Sequence, residues 1–182
     1  MSKKSLVVAV IGAGPAGLMA AETLVREGMT VQVYEAKPSV GRKFLMAGRG
    51  GLNITHSEPT DKFVRRYGAR APEIGRMLEQ FDAEALRTWV HALGIETFVG
   101  SSGRVFPHEM KAAPLLRAWM HRLRVEGVHF LMRHRWLGWD DAQQLRFETP
   151  RGERTTAPDA TVLALGGGSW ARLGSDGAWW PW

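Results

Sequence analysis

Gly12-Ala13-Gly14-Pro15-Ala16-Gly17 sets three glycines at the spacing a tight turn needs to carry backbone N–H groups against a pyrophosphate. Gly12 permits the turn, Gly14 clears a path for the phosphates, and Gly17 lets the following helix pack close to the preceding strand. A free helix N-terminus there offers donors and the positive end of a dipole to an anion. Glu35 lies about 20 positions on, where a carboxylate can accept hydrogen bonds from ribose hydroxyls and repel a 2′-phosphate. The glycine motif by itself does not separate FAD from NAD, and its plainer reading is a tight strand–helix turn that binds nothing.

A second stretch carries chemistry. Gly41-Arg42-Lys43 and Gly48-Arg49-Gly50-Gly51-Leu52-Asn53-Ile54-Thr55 lie where an extended cofactor would continue past its pyrophosphate. Glycines admit backbone close to a flat ring. Arg42, Lys43 and Arg49 are candidates to stabilise an anionic reduced flavin. A flexible basic loop would have the same composition. His56 and His108, in glycine- or proline-flanked loops, are candidates for proton transfer or for structural roles.

The elements that must position these residues follow from periodicity. Leu6 to Ile11 is a continuous apolar run, as in a strand buried on both faces of a parallel sheet. Ala16 to Glu27 has a helical period closed by Gly28, and Thr30 to Tyr34 is a second strand. Lys37 to Ser57 has no period and reads as a long functional loop. Asp82 caps a helix over 83–93, and Lys111 to Glu126 repeats the same apolar spacing. Glu96 to Val99 and Arg104 to Phe106 flank Gly100-Ser101-Ser102-Gly103 as a hairpin. Val128 to Met132 reads as a parallel strand. Arg135 to Trp139, Leu145 to Thr149 and Arg154 to Thr156 read as an antiparallel meander, and Thr161 to Leu165 as a last buried strand.

Composition narrows the classes. Hydrophobic residues at 45% and charged residues at 23% suit a globular domain with a core. The absence of cysteine excludes a disulfide framework, a thiolate zinc site and a redox-active cysteine pair, so any redox chemistry sits on a bound cofactor. The histidines have no metal-ligand spacing with acids. The apolar run at the N-terminus is too short for a signal core or a membrane span, and the cytoplasm is the default location. The net charge of +6 raises a nucleic-acid partner. The densest basic stretch, His121 to Arg135, alternates with apolar core positions and reads as a solvated face, so nucleic acid is not expected and a small-molecule substrate is.

Gly41-Arg42-Lys43 with Gly48-x-Gly50-Gly51-x-Asn53-x-Thr55 resembles the second motif of the HI0933-like (YhiN-type) NAD(P)/FAD-dependent oxidoreductases. Gly103-Arg104-Val105-Phe106-Pro107, Ala164-Leu165-Gly166-Gly167-Gly168-Ser169 and Gly174-Ser175-Asp176-Gly177 match further motifs of that family in order. The resemblance implies an α/β, Rossmann-like FAD/NAD(P)-binding domain of the glutathione-reductase type, a parallel sheet plus a three-stranded antiparallel meander. It implies FAD with its pyrophosphate on Gly12, Gly14, Pro15, Ala16 and Gly17, and its adenosine ribose on Glu35 and Ala36. Arg42, Lys43 and the stretch Gly48, Gly50, Gly51, Asn53, Thr55 would follow the ribityl chain. The backbone at Arg135 and Trp136 would meet the adenine, and Ala164, Gly166 and Gly167 would pass near the cofactor. NAD(P)H would be the electron donor. Two departures stand out: Leu165 replaces a threonine of the family's alanine-threonine-glycine triplet, and the Gly48–Leu52 loop has no cysteine.

Relatives in that family are longer. Residues 1–182 therefore read as one FAD-binding domain, truncated at its C-terminus before an inserted substrate-side domain and a final FAD-domain segment. Trp179, Trp180 and Trp182 would form an uncovered apolar patch. The expected function is the FAD-binding part of a flavoprotein oxidoreductase, with a non-catalytic flavin- or nucleotide-binding fragment as the alternative.

Overall fold

The computed structural model describes residues 5–174 and 176–179. The chain opens with β1 (Val7–Ile11), α1 (Pro15–Arg26), β2 (Thr30–Glu35), α2 (Arg42–Ala47) and β3 (Thr55–His56). It continues through α3 (Thr60–Arg65), a 3₁₀ turn (Gly68–Arg70), α4 (Ala71–Leu78), α5 (Ala83–His91), β4 (Thr97–Val99) and β5 (Arg104–Pro107). Then come α6 (Ala112–Val125), β6 (His129–Met132), β7 (Arg135–Trp139), β8 (Leu145–Thr149), β9 (Gly152–Thr156), β10 (Ala160–Leu163) and a 3₁₀ turn at Ala171–Leu173. The chain divides into two compact units: residues up to Phe44 with those from Met120 onward, and Leu45–Trp119.

The first unit holds a four-stranded sheet in the order β10-β1-β2-β6, every neighbour pair parallel. β1 is apolar throughout and buried at Val8, Val10 and Ile11, as a strand with both faces covered must be. Leu18 and Ala21 of α1 are buried as well. Glu22, also buried, lies 2.6 Å from Arg26 and 2.9 Å from Arg122. The second of these ion pairs ties α1 to the end of α6, and a buried acid held by two guanidiniums is costly to strip of its partners.

β7, β8 and β9 form the antiparallel meander. Its inward residues Trp136, Leu145 and Phe147 form one core cluster with Ala9, Ile11 and Tyr34 of the sheet. Tyr34 and Phe147 stack with centroids 4.2 Å apart. The clean alternation of β7, exposed at Arg135 and buried at Trp136, is the period-two signal of a half-covered strand.

The second unit is built on a small antiparallel sheet, β3-β5-β4, with α3, α4 and α5. Asp82 caps α5 as expected, its carboxylate accepting the N–H of Ala85 at 2.8 Å. The loop expected over 37–57 instead contains α2 and β3, and α3 and α4 had no sequence forecast. These helices have six to eight residues and α4 contains Pro72 and Gly75, so no apolar period accumulates. β3 is two residues long and exists through pairing with β5, a contact that no local pattern encodes.

Candidate functional site

A cavity of about 380 Å³ opens at the C-terminal ends of β1, β2 and β10. Ligands of open α/β sheets sit at this edge. Its lining includes Gly12, Gly14, Pro15, Ala16, Glu35, Ala36, Arg42, Lys43, Trp136, Ala164 and Gly166, all expected from the sequence.

Each glycine of the turn has its own reason. Gly12 has φ +108°, and a Cβ there would lie 2.4 Å from the Ala164 carbonyl oxygen. A Cβ on Gly17 would lie 1.9 Å from the Gly12 oxygen, so Gly17 serves the close packing of α1 on the turn and does not line the cavity. Gly14 differs: its φ of −81° suits any residue, and a Cβ there would meet nothing within 4 Å. Its smallness has no use within the protein and faces open space. Gly14 is also the N-cap of α1, and no side chain caps that end.

Glu35 ends β2 with both carboxylate oxygens engaged by backbone. Oε2 accepts the Ala13 N–H at 3.0 Å, and Oε1 accepts the Lys37 N–H at 2.9 Å. Each oxygen has a further lone pair, so the acid is oriented and still able to accept ribose hydroxyls. Arg42 follows Gly41, whose N–H donates to the Ala13 carbonyl at 2.9 Å. The guanidinium is thereby brought to the turn, and its Nη2 is buried without a hydrogen-bond partner among the described residues. A buried cationic donor on a cavity wall beside an uncapped helix N-terminus is what an anionic group would satisfy.

Arg135 does not line the cavity; its Nε donates to Glu148 at 2.7 Å on the outer face. Gly167 is absent from the lining too. Gly48, Gly50, Gly51, Asn53 and Thr55 belong to the second unit, where internal packing accounts for several of them. A Cβ on Gly48 would lie 2.6 Å from that of Ala112, and one on Gly51 would lie 2.7 Å from the Met110 methyl. Asn53 donates to the carbonyls of Thr55 and Val105.

His56 is held in place by backbone. Its Nδ1 accepts the Glu58 N–H at 3.1 Å and its Nε2 lies 3.0 Å from the Ser102 carbonyl. His108 packs its ring against Phe98 at 5.5 Å. Trp179 is no bare end. Its indole N–H donates to the Gly166 carbonyl at 3.1 Å, and the ring packs on the core cluster around Tyr34. Ser175, Trp180 and Trp182, the remainder of those expectations, lie outside the described residues.

Tyr34, Ser39 and His134 also line the cavity and carry no expectation from the sequence. The available signal was period two: residues on either side of an outward Arg135 must point inward. Burial pushes the Tyr34 phenol above its ordinary pKa, and its hydroxyl donates to Gln32 at 2.7 Å. No described helix is long and apolar enough to cross a membrane.

The sequence profile of the HI0933-like protein Rossmann domain matches residues 6–182. The chain belongs to this family. Its fold is accordingly that of a Rossmann domain. Among similar proteins, the thiamine thiazole synthase of Pyrococcus horikoshii is 25% identical over 133 residues, 66% of this chain and 53% of that protein. The ribosomal RNA dihydrouridine synthase of Haemophilus influenzae is 45% identical over 51 residues, 28% of this chain and 13% of that protein. The crystal structure of a 3-ketosteroid-Δ4-(5α)-dehydrogenase from Rhodococcus jostii superposes with a TM-score of 0.64 at 17% identity, over 91% of this chain and 47% of that one. The HI0933-like chain thus spans about half, or less, of the length of each.

Proposed function

We propose that the cavity holds FAD and that the domain serves a reductase acting on a small molecule. The observation that carries this reading is the buried Nη2 of Arg42, without a hydrogen-bond partner among the described residues, on a wall shared with the uncapped N-terminus of α1 and the open side of Gly14. A pyrophosphate fits there: Arg42 and the first-turn amides would neutralise it, and Glu35 would take the ribose diol on the side of β2. Lys43 adds a second positive charge to the same wall. Bound FAD would supply two-electron chemistry, with NADH or NADPH as the hydride donor and a small molecule as the acceptor. The protein's own part is to orient the dinucleotide and to keep 2′-phosphorylated nucleotides off the Glu35 carboxylate. Reduced nicotinamide is plentiful in the cytoplasm, and the reading places the protein there.

The test is anaerobic. Protein loaded with FAD is mixed with NADH or NADPH, and the flavin absorbance is followed. Bleaching by either supports the reading; a bound flavin that neither reduces leaves only a binding module.

A second reading concerns the acceptor. The similarity to a ribosomal RNA dihydrouridine synthase brings forward a carbon–carbon double bond in an RNA base as the hydride acceptor. Arg49, Lys111 and Arg117 line one shallow groove of the second unit beside a single acid, Glu109, a net positive set of charges that suits a phosphate backbone. Retention of RNA by the protein that weakens steeply with salt, and that Arg49→Gln with Lys111→Gln reduces, supports this acceptor class. Salt-independent retention rejects it.

A further inference from the structure

The sheet order orients a nucleotide before any ligand is considered. The phosphate turn follows β1, the ribose acid ends β2, and the next strand across is β6. A nucleotide with its phosphates on the Gly12–Gly17 turn and its ribose on Glu35 therefore directs its base toward the residues that follow β6. There His134 and Trp136 line the cavity on either side of Arg135. The His134 N–H donates to the Glu35 carbonyl at 2.9 Å, which fixes the histidine next to the ribose acid.

The state of that imidazole can be read from its partner. Nδ1 lies 2.9 Å from the Met132 carbonyl oxygen, which can only accept, so Nδ1 carries the proton. In the neutral ring Nε2 is then a lone-pair acceptor, and no described residue bonds to it. Tyr34 and Phe147 hold the ring edge-on, at 5.8 Å and 6.2 Å between centroids. A rigid acceptor at the base end of a nucleotide cavity discriminates between bases. Adenine presents an amino group at C6, a donor; hypoxanthine and guanine present a carbonyl there, an acceptor facing an acceptor.

We propose that His134 is a specificity-determining residue that selects adenine, its Nε2 accepting a hydrogen bond from the exocyclic amino group. The proposal rests on the FAD reading above and assigns the choice of base to one side chain. ADP and IDP differ at C6 and N1 of the base alone, so their relative affinity reads this contact without any redox activity. Titration calorimetry at mildly alkaline pH, above the ordinary imidazole range, is expected to show ADP bound at least about tenfold tighter than IDP, the size of one hydrogen bond to an enclosed group. His134→Phe is expected to bring that ratio close to one, mainly by weakening ADP, and His134→Ala to do the same should Phe disturb the Tyr34–Phe147 stack. FAD binding to the wild type with an ADP-to-IDP ratio near one overturns the role of His134 and leaves the FAD reading standing. So does a ratio that His134→Phe and His134→Ala leave unchanged. A wild type that binds none of ADP, IDP and FAD overturns both.

Discussion

The Glu35 carboxylate accepts the backbone N–H of Ala13 at 3.0 Å, so the acid that ends β2 is fastened to the glycine turn that follows β1. This bond adds to that of the Gly12 N–H, which donates to the Tyr34 carbonyl at 2.8 Å, so the turn and the end of β2 are joined by backbone and side chain alike. Glu35→Gln tests this coupling. Glutamine has one acceptor oxygen where Glu35 uses two, so either Ala13 or Lys37 loses its partner. The expected outcome is a stability loss of about 1–3 kcal/mol in urea unfolding, together with FAD affinity lowered about tenfold or more.

The glycines of the turn separate into two kinds. Gly12→Ala and Gly17→Ala each drive a Cβ into backbone oxygen, at 2.4 Å and 1.9 Å, and are expected to lower the melting temperature by many degrees. Gly14→Ala meets nothing and is expected to melt as the wild type does. Thermal scans of the three variants side by side check the contrast.

Arg42→Met removes a buried guanidinium nitrogen that has no hydrogen-bond partner among the described residues, so the ligand-free protein is expected to keep its stability or gain slightly. FAD affinity is expected to fall by roughly 10- to 100-fold, the range for a charge-assisted hydrogen bond. Equilibrium dialysis against FAD, beside a thermal scan of the apoprotein, reads both.

Tyr34 gives a pH dependence with a defined sign. Burial raises its phenol pKa, so the folded chain keeps a proton that the unfolded chain releases above the ordinary value of 10.0. The folded state then binds more protons, and stability falls as pH rises through that region. Below it the contribution is intact. Tyr34→Phe is expected to flatten the alkaline loss of stability, measured by urea unfolding on either side of the phenol titration.

How far the sequence could be read depended on whether a feature is local. The apolar run of β1, the glycine spacing, the Asp82 cap and the turns of the meander are short-range patterns with one physical reading each, and the structure has all of them. α2, α3 and α4 are too short for a period to emerge. His134 was missed for a different reason. Its place beside Glu35 comes from the parallel pairing of β2 with β6, strands far apart in the chain whose adjacency no local spacing records. Gly48 and Gly51 are crowded against Ala112 and Met110, and residue type alone does not distinguish that packing need from room for a ligand.

The most direct test of the cavity assignment is fluorescence titration of FAD into the purified protein and its Gly14→Val variant, with circular dichroism to compare their folds. Gly14 has ordinary backbone angles and open space at its Cβ, so a valine there obstructs a pyrophosphate and little else. Saturable FAD binding by the wild type, lost in a variant of unchanged fold, is the predicted result. A wild type that takes up no FAD, or a folded Gly14→Val that binds it as tightly, contradicts the account.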